Sequence, residues 1–301
     1  MRLLVLGTAA GGGVPQWNCA CAGCAAARAD PARRRRRHAS IAVEAGPGRW
    51  YVVNATPDIG EQIEACPQLH PGPGRRDTPL AGVILTDAEL DHTLGIPRLR
   101  EASGLRIVAT GAVRAALSGG LRLDAVLGPY AGVSWAALPE KGLEVLDGGP
   151  LEVQGVRVSG KRPRYAADLD AGGEDGWVVA LRVRDRRSGR VLVYAPCLAA
   201  WPKELDEALS GADCVFFDGT FWDDDEPRRA GFTDRTATRM GHLPITGPGG
   251  TAGRLAELPA ARRLYTHLNN TNPLVDPDDA GHRRLAAAGI EVAREGALIE
   301  L

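Results

Sequence analysis

Residues 81–92 run Ala81-Gly82-Val83-Ile84-Leu85-Thr86-Asp87-Ala88-Glu89-Leu90-Asp91-His92. The apolar first half has the length and branching of a buried strand. The second half carries three carboxylates and an imidazole into the loop that leaves that strand. Loops at strand ends are where reactive groups reach a ligand while a rigid sheet holds them still. The stretch therefore predicts a protein of mixed helices and strands, with a chemical site at the mouth of this strand.

Working outward, further apolar runs predict strands at 3–6, 39–45, 49–54, 105–109, 151–158, 177–184, 190–195, 212–217, 262–266 and 297–301. Helical spacing predicts helices near 58–65, 95–101, 110–118, 203–210, 251–257 and 277–288. Both halves of the chain combine strands with helices. Two sheets packed face to face with helices outside, an α/β (α+β) sandwich of four αββα layers, accommodate that order. Pro71-Gly72-Pro73-Gly74 and Ala171-Gly172-Gly173 read as loop tips, so residues 1–301 are expected to form a single domain.

The charge balance is near neutral, 36 Lys and Arg against 37 Asp and Glu. No global field thus argues for nucleic acid or a membrane surface. The apolar stretch Leu3–Leu6 is too short for a signal-peptide core, and no run reaches the length of a membrane span. A cytoplasmic protein is the expectation. Thr8–Gly13 holds three glycines but lacks the Gly-Lys-Ser/Thr ending of a phosphate loop, and reads as a tight turn bringing backbone close to the site. Arg33–Arg37 reads as a solvated basic loop or as an attractor of an acidic peptide. Trp17 and Trp222 read as packing residues.

Three of the six cysteines are crowded into Cys19-Ala20-Cys21-Ala22-Gly23-Cys24. Three thiolates at this spacing can converge on one tetrahedral ion, so a structural zinc knuckle is expected at 19–24. The fourth ligand is not local; His38 and Asn270 are the candidates.

The loop at 86–92 resembles the Thr-His-x-His-x-Asp-His motif of the metallo-β-lactamase superfamily, with Asp87 and Glu89 in place of its first two histidines. Val191–Cys197 is similar to the superfamily strand that ends in a metal-bridging Asp, here replaced by Cys197. Asp213–Phe221 resembles the strand that follows, with Asp218 at its mouth. Met240-Gly241-His242 is similar to the Gly-His loop of the ribonuclease Z and phosphodiesterase branch, where that His works beside the metal. Leu264-Tyr265-Thr266-His267 resembles the last strand, which delivers the final metal His. The resemblance implies a metallo-β-lactamase-like four-layer αββα sandwich. Its first metal position needs three histidines, but two are replaced and none occurs in Lys161–Arg164, where the third would fall. Asp91, His92 and His267 remain. Two imidazoles and a carboxylate with open positions opposite form the ligand set of non-haem Fe(II) oxygenases. A dinuclear hydrolase needs a second metal to clamp the other reacting oxygen, which this set does not provide.

Trp17-Asn18-Cys19, Thr86-Asp87-Ala88, Leu90-Asp91-His92-Thr93, Gly241-His242 and His267-Leu268-Asn269-Asn270-Thr271-Asn272-Pro273 closely resemble the pyrroloquinoline quinone (PQQ) biosynthesis protein B family. The resemblance covers essentially the whole chain. It implies hydroxylation of the tyrosine ring of a cross-linked Glu-Tyr precursor, with Fe(II) at Asp91, His92 and His267 and molecular oxygen as co-substrate. It also supports structural zinc at Cys19, Cys21 and Cys24. Other PQQ biosynthesis proteins and a second copy of the chain are the candidate macromolecular partners. The candidate catalytic groups are His242, as acid, base or substrate contact; Asp218, as orienting or substrate-binding group; and Asp87 and Glu89, as binders of a substrate amino group or solvated charge filling the vacated pocket. A carrier of PQQ or its precursor and a metal-dependent hydrolase are the alternatives. A carrier has no need of open coordination sites, which favours the oxygenase.

The cysteine spacing predicts that Cys21→Ser lowers the zinc content by about one ion per chain and destabilises the fold, since structural zinc contributes folding free energy directly. Elemental analysis of the purified variant checks this; unchanged zinc would remove the cluster from the ligand list.

Overall fold

The computed structural model describes residues 1–173 and 175–301 and arranges their strands as two seven-stranded sheets. The first is built from β1 (Arg2–Gly7), β2 (Ser40–Gly46), β3 (Arg49–Val53), β4 (Leu80–Ile84), β5 (Leu105–Ala109) and β6 (Val133–Ala137). The second contains β7 (Glu144–Val145), β8 (Leu151–Ser159), β9 (Val178–Asp185), β10 (Val191–Ala195), β11 (Cys214–Asp218), β12 (Arg262–Thr266) and β13 (Glu291–Val292). The last strand, β14 (Leu298–Glu300), returns to pair with β1. In each sheet one part is antiparallel and the other parallel: β3 to β6 in the first, β10 to β13 in the second. Ligand sites collect outside the carboxyl ends of parallel strands. Both candidate metal loops leave such ends.

Side chains alternate across each strand, which sorts the apolar runs into layers. Leu3 and Val5 of β1 join Ile41, Val43, Leu181, Leu192 and Phe216 between the sheets. Leu4 and Leu6, one residue out of phase, pack with Trp50 and Val52 against Ile59 of the helix Ile59–Glu64. On the second sheet Val193, Val215 and Phe217 are covered by Leu205, Leu255 and Leu285 from three outer helices. Burial on both faces is why these strands read as unbroken apolar runs rather than as alternation.

Each expected strand is present within a few residues of its expected bounds. Three more were not anticipated. β6 reads Val-Ser-Trp-Ala-Ala at a half-exposed edge, and β7 and β13 have two residues each, too few for any periodicity. The helix expected near 95–101 is a short 3₁₀ turn at Ile96–Leu99, as Pro97 has no N–H to continue a ladder. Near 110–118 the helix Gly111–Ala115 passes into a π-helical turn, Ala116–Gly120, at a Gly-Gly pair.

Two expectations need correcting. Trp17 is 87% exposed rather than packed. The basic run is only partly solvated: Arg33 and Arg35 are exposed, but Arg34 meets Asp276 at 2.8 Å and Asp278 at 3.5 Å, and Arg37 meets Glu295 at 3.4 Å. Arg36 donates to Thr8 Oγ1 at 3.0 Å and to the Leu274 carbonyl at 3.3 Å. These contacts bind the region following the cysteines to the C-terminal third of the chain.

Glu226 makes a similar long-range tie. Its carboxylate accepts from Trp222 N and from Thr271 Oγ1, both at 2.5 Å. Burial disfavours its charge and raises the carboxyl to about 7, despite these donors. An acid raised on folding costs stability that is absent below the unfolded value near 4.5, grows as pH rises, and levels off above the folded value. Glu226→Gln should therefore gain about 2 kcal/mol relative to the parent between about pH 5 and about pH 8. Urea unfolding of both proteins at the two pH values measures it; parallel stability curves would refute the assignment.

Candidate metal centre

The loop after β4 is locked at its first residue. Asn54, left-handed at φ +67°, caps β3 and donates its amide to Thr86 Oγ1 at 2.9 Å while accepting from Thr86 N at 3.0 Å. Thr86 Oγ1 in turn donates to Asp87 at 2.8 Å, and Asp87 accepts from Glu89 N at 3.0 Å. Asp87 thereby faces the short helical turn Leu90–Thr93 and holds His92 Nδ1 at 2.7 Å. With its proton on Nδ1, His92 presents a bare Nε2, which is buried and finds no hydrogen-bond partner among the described residues.

His267 arrives from the end of β12 in a left-handed conformation, φ +59°, rare for a residue with a side chain and concentrated at functional sites. Its Nδ1 donates to Thr220 Oγ1 at 2.8 Å, and Thr220 Oγ1 donates to Asp218 at 2.6 Å. The same logic then leaves Nε2 bare. Asp91 Oδ2 lies 3.5 Å from His267 Nε2 and 3.8 Å from His92 Nε2. Cys197 Sγ approaches His267 Nε2 at 3.7 Å and groups with both imidazoles. Two imidazole nitrogens, a carboxylate and a sulfur thus converge. That is the donor chemistry of a metal site, each imidazole oriented by a hydrogen bond behind it.

Electrostatics point the same way. Burial would raise Asp91, but the adjoining His92 and His267 hold it far below the usual carboxylate range. Burial would also strip His92 of charge, yet Asp87 and Asp91 outweigh it and carry the imidazole up to about 9. A cation is demanded here, whether proton or metal. Burial, reinforced by the surrounding carboxylates, keeps the Cys197 thiol protonated in the metal-free site.

These donors open onto a cavity of about 210 Å³. Gly11 forms one wall, where an added Cβ would stand 3.3 Å from Asp91 Oδ2, so the glycine turn does bring backbone to the site. His242 lies beside His267 with ring centroids 5.7 Å apart, its Nδ1 2.7 Å from Asp218. Asp218 is fully buried and also accepts from Leu198 N at 2.7 Å, a position suited to orienting His242 and Thr220. Asp87 is likewise spent on orientation. Glu89 lines the cavity 3.7 Å from Lys161 Nζ, its carboxyl raised by burial against the pull of Lys161. Sequence reasoning passed over three participants: Cys197, read only as the replacement of a bridging Asp, Thr220 and Lys161. The chemistry of Cys197 was the available signal; nothing local marked the other two.

The sulfurs of Cys19, Cys21 and Cys24 also converge. Of the two candidates for a fourth position, the structure brings Asn270, whose amide is 3.2 Å from both Cys19 Sγ and Cys24 Sγ. His38 is not grouped with the three sulfurs; its Nδ1 is held by Asp58 at 2.6 Å. Gln16 N donates to Cys24 Sγ at 3.2 Å, and Cys21 N donates to Cys19 Sγ at 3.4 Å; burial would raise the Cys19 thiol, but this and neighbouring hydrogen bonds lower it.

Residues 49–268 match the model of the beta-lactamase superfamily domain. Over all of both chains the protein is 40% identical to coenzyme PQQ synthesis protein B of Methylococcus capsulatus and of Azoarcus sp.. The chain belongs to the coenzyme PQQ synthesis protein B family. The crystal structure of Zn(2+)-bound PqqB from Methylobacterium extorquens superposes with a TM-score of 0.89 at 36% identity, covering all of both chains. A diphosphatase of the PhnP family, at TM-score 0.69 and 19% identity over 100% and 98% of the two chains, shares the fold alone. The PQQ synthesis protein B family thus uses the metallo-β-lactamase fold, as the motifs led us to expect. No described helix is long and apolar enough to cross a membrane.

If Asp87 orients His92, Asp87→Ala should keep the fold and weaken metal binding at the site about 10–100-fold, the usual effect of removing such a partner. Competition with a chromophoric chelator measures this; undiminished affinity would reduce Asp87 to a structural acceptor.

Proposed function

We propose that the protein acts in PQQ synthesis as an iron- and oxygen-dependent hydroxylase of the tyrosine-derived ring in the cross-linked Glu-Tyr precursor. The observation that carries this reading is the convergence of Asp91 Oδ2, His92 Nε2 and His267 Nε2 at one end of the cavity. Fe(II) bound by these three would supply the power to activate oxygen. The chain's own residues supply the rest. Asp87 and Thr220 fix which nitrogen of each imidazole is free. Asp218 occupies Nδ1 of His242, so Nε2 is the atom that exchanges a proton with the phenolic oxygen of the ring. Lys161 and Glu89 on another wall match a substrate carrying both carboxylate and amino groups. Phe221, Val178 and Met240 line the remainder and limit water.

Cys197 gives the carrier reading its one specific support. A thiolate added to two imidazoles and a carboxylate would close a tetrahedral shell, which suits zinc and leaves no open position. The sulfur therefore decides between a catalytic and a closed centre.

Anaerobic loading with Fe(II), followed by oxygen and the cross-linked Glu-Tyr substrate, tests the proposal. Asp91→Ala, His92→Ala and His267→Ala should each lose active-site iron and fall to background turnover while knuckle zinc stays. His242→Ala should keep iron and lose most turnover. Full iron and full turnover in both His92→Ala and His267→Ala would show that the site is elsewhere.

A further inference from the structure

Beside the metal cavity lies a second one of about 420 Å³, and the two share Glu89, Lys161 and Met240 in their walls. Its lining carries Lys161, Arg162, Arg164 and Arg235 against the single carboxylate of Glu89. Arg162 is already occupied, stacked over Trp177 and donating to the Leu169 carbonyl at 3.2 Å. Arg164 and Arg235 are exposed and have no ion-pair partner among the described residues.

The basic wall is also fixed to the metal loop. Tyr165, in the 3₁₀ turn that begins at Arg164, donates its hydroxyl to the Ala88 carbonyl at 2.6 Å. Lys161 Nζ donates to the Met240 carbonyl at 3.1 Å, beside the turn that presents His242. Arg164 and Lys161 thus lie on a segment tied to the metal loop on one side and to the His242 turn on the other. Size is compatible with a joint use of the two spaces. Small-molecule sites span about 300–1,000 Å³, a range the metal cavity misses alone and reaches together with this neighbour.

We propose that Arg164 and Arg235, with Lys161, form a vestibule that binds the carboxylates of a polyanionic ligand whose ring enters the metal cavity. This rests on the proposed function for the identity of the reacting ring, but not for the binding itself. Guanidinium groups recognise carboxylates by paired N–H donors, and the exposed setting makes the attraction sensitive to salt. The vestibule would select ligands with at least two carboxylates over monocarboxylic phenols.

PQQ, a tricarboxylic quinone, is a direct probe. Its binding to the zinc-loaded protein without iron or oxygen is measured by calorimetry at about 50 mM and about 500 mM salt. Arg164→Gln/Arg235→Gln should weaken binding about tenfold or more at low salt, the scale of one lost charge-assisted hydrogen bond, and flatten the salt dependence. Arg283→Gln, an exposed arginine lining neither cavity, should match the parent. Zinc content and melting temperature report whether the variants remain intact. Parent-like affinity in the double variant, an equal loss in Arg283→Gln, or no PQQ binding by the parent would each overturn the proposal. Arginine-dependent binding in a protein that never hydroxylates would leave the vestibule standing and sink only the reaction.

Discussion

His92 is fully buried and flanked by two carboxylates, the buried Asp87 and the partly exposed Asp91, which together favour positive charge on the imidazole between them. Asp87 stands behind the imidazole and Asp91 in front of it. Isolated buried anions cost many kcal/mol, so the loop at 86–92 is stable only with a cation between its acids. A proton on His92 answers that demand in the metal-free protein, and a metal answers it when bound. Metal binding at this centre must therefore compete with protons. The surrounding scaffold serves to hold that loop still: Asn54 at its start, Glu89 N at its turn, and Tyr165 on its carbonyl side.

The second half of the centre is held from farther away. Only Leu268 and Asn269 separate His267 from Asn270, and Asn270 reaches the sulfurs of the cysteine cluster. Thr271, next along, is tied to Glu226, and Asn272 donates to the Gly219 carbonyl at 2.7 Å. The left-handed backbone of His267 is a conformation that an isolated loop would abandon, and these anchors keep it. The cysteine cluster is thus mechanically part of the metal centre although it contributes no ligand to it. A change at the cluster would reach His267 through this loop rather than through any direct bond.

The fold is shared with hydrolases of quite different chemistry, which fits the general rule that function lives in the site and not in the sandwich. Here the sandwich supplies parallel strand ends at which two loops meet. Replacing histidines by Asp87 and Glu89 converts one former ligand position into an orienting acid and the other into a cavity wall. Cys197 and Lys161 line the same cavity, where neither supplies a second bridging carboxylate.

The sequence by itself determined the layers and the grouping of key residues. Continuous apolar runs such as Val191–Ala195 mark strands buried on both faces, and a short-range spacing such as Cys19-x-Cys21-x-x-Cys24 can be judged without a fold. Asp91, His92 and His267 were nominated together through motif likeness, and the structure brings them to one point. Tertiary structure alone decided the roles that depend on neighbours distant in the chain. Asn270 rather than His38 meets the cysteines, across 251 residues of chain. Asp87 holds His92 Nδ1, Cys197 lies with both imidazoles, and Arg34 and Arg37 are paired with Asp276, Asp278 and Glu295. A residue type fixes which bonds a side chain can make. Only the packing of the chain fixes which partner comes within their short reach.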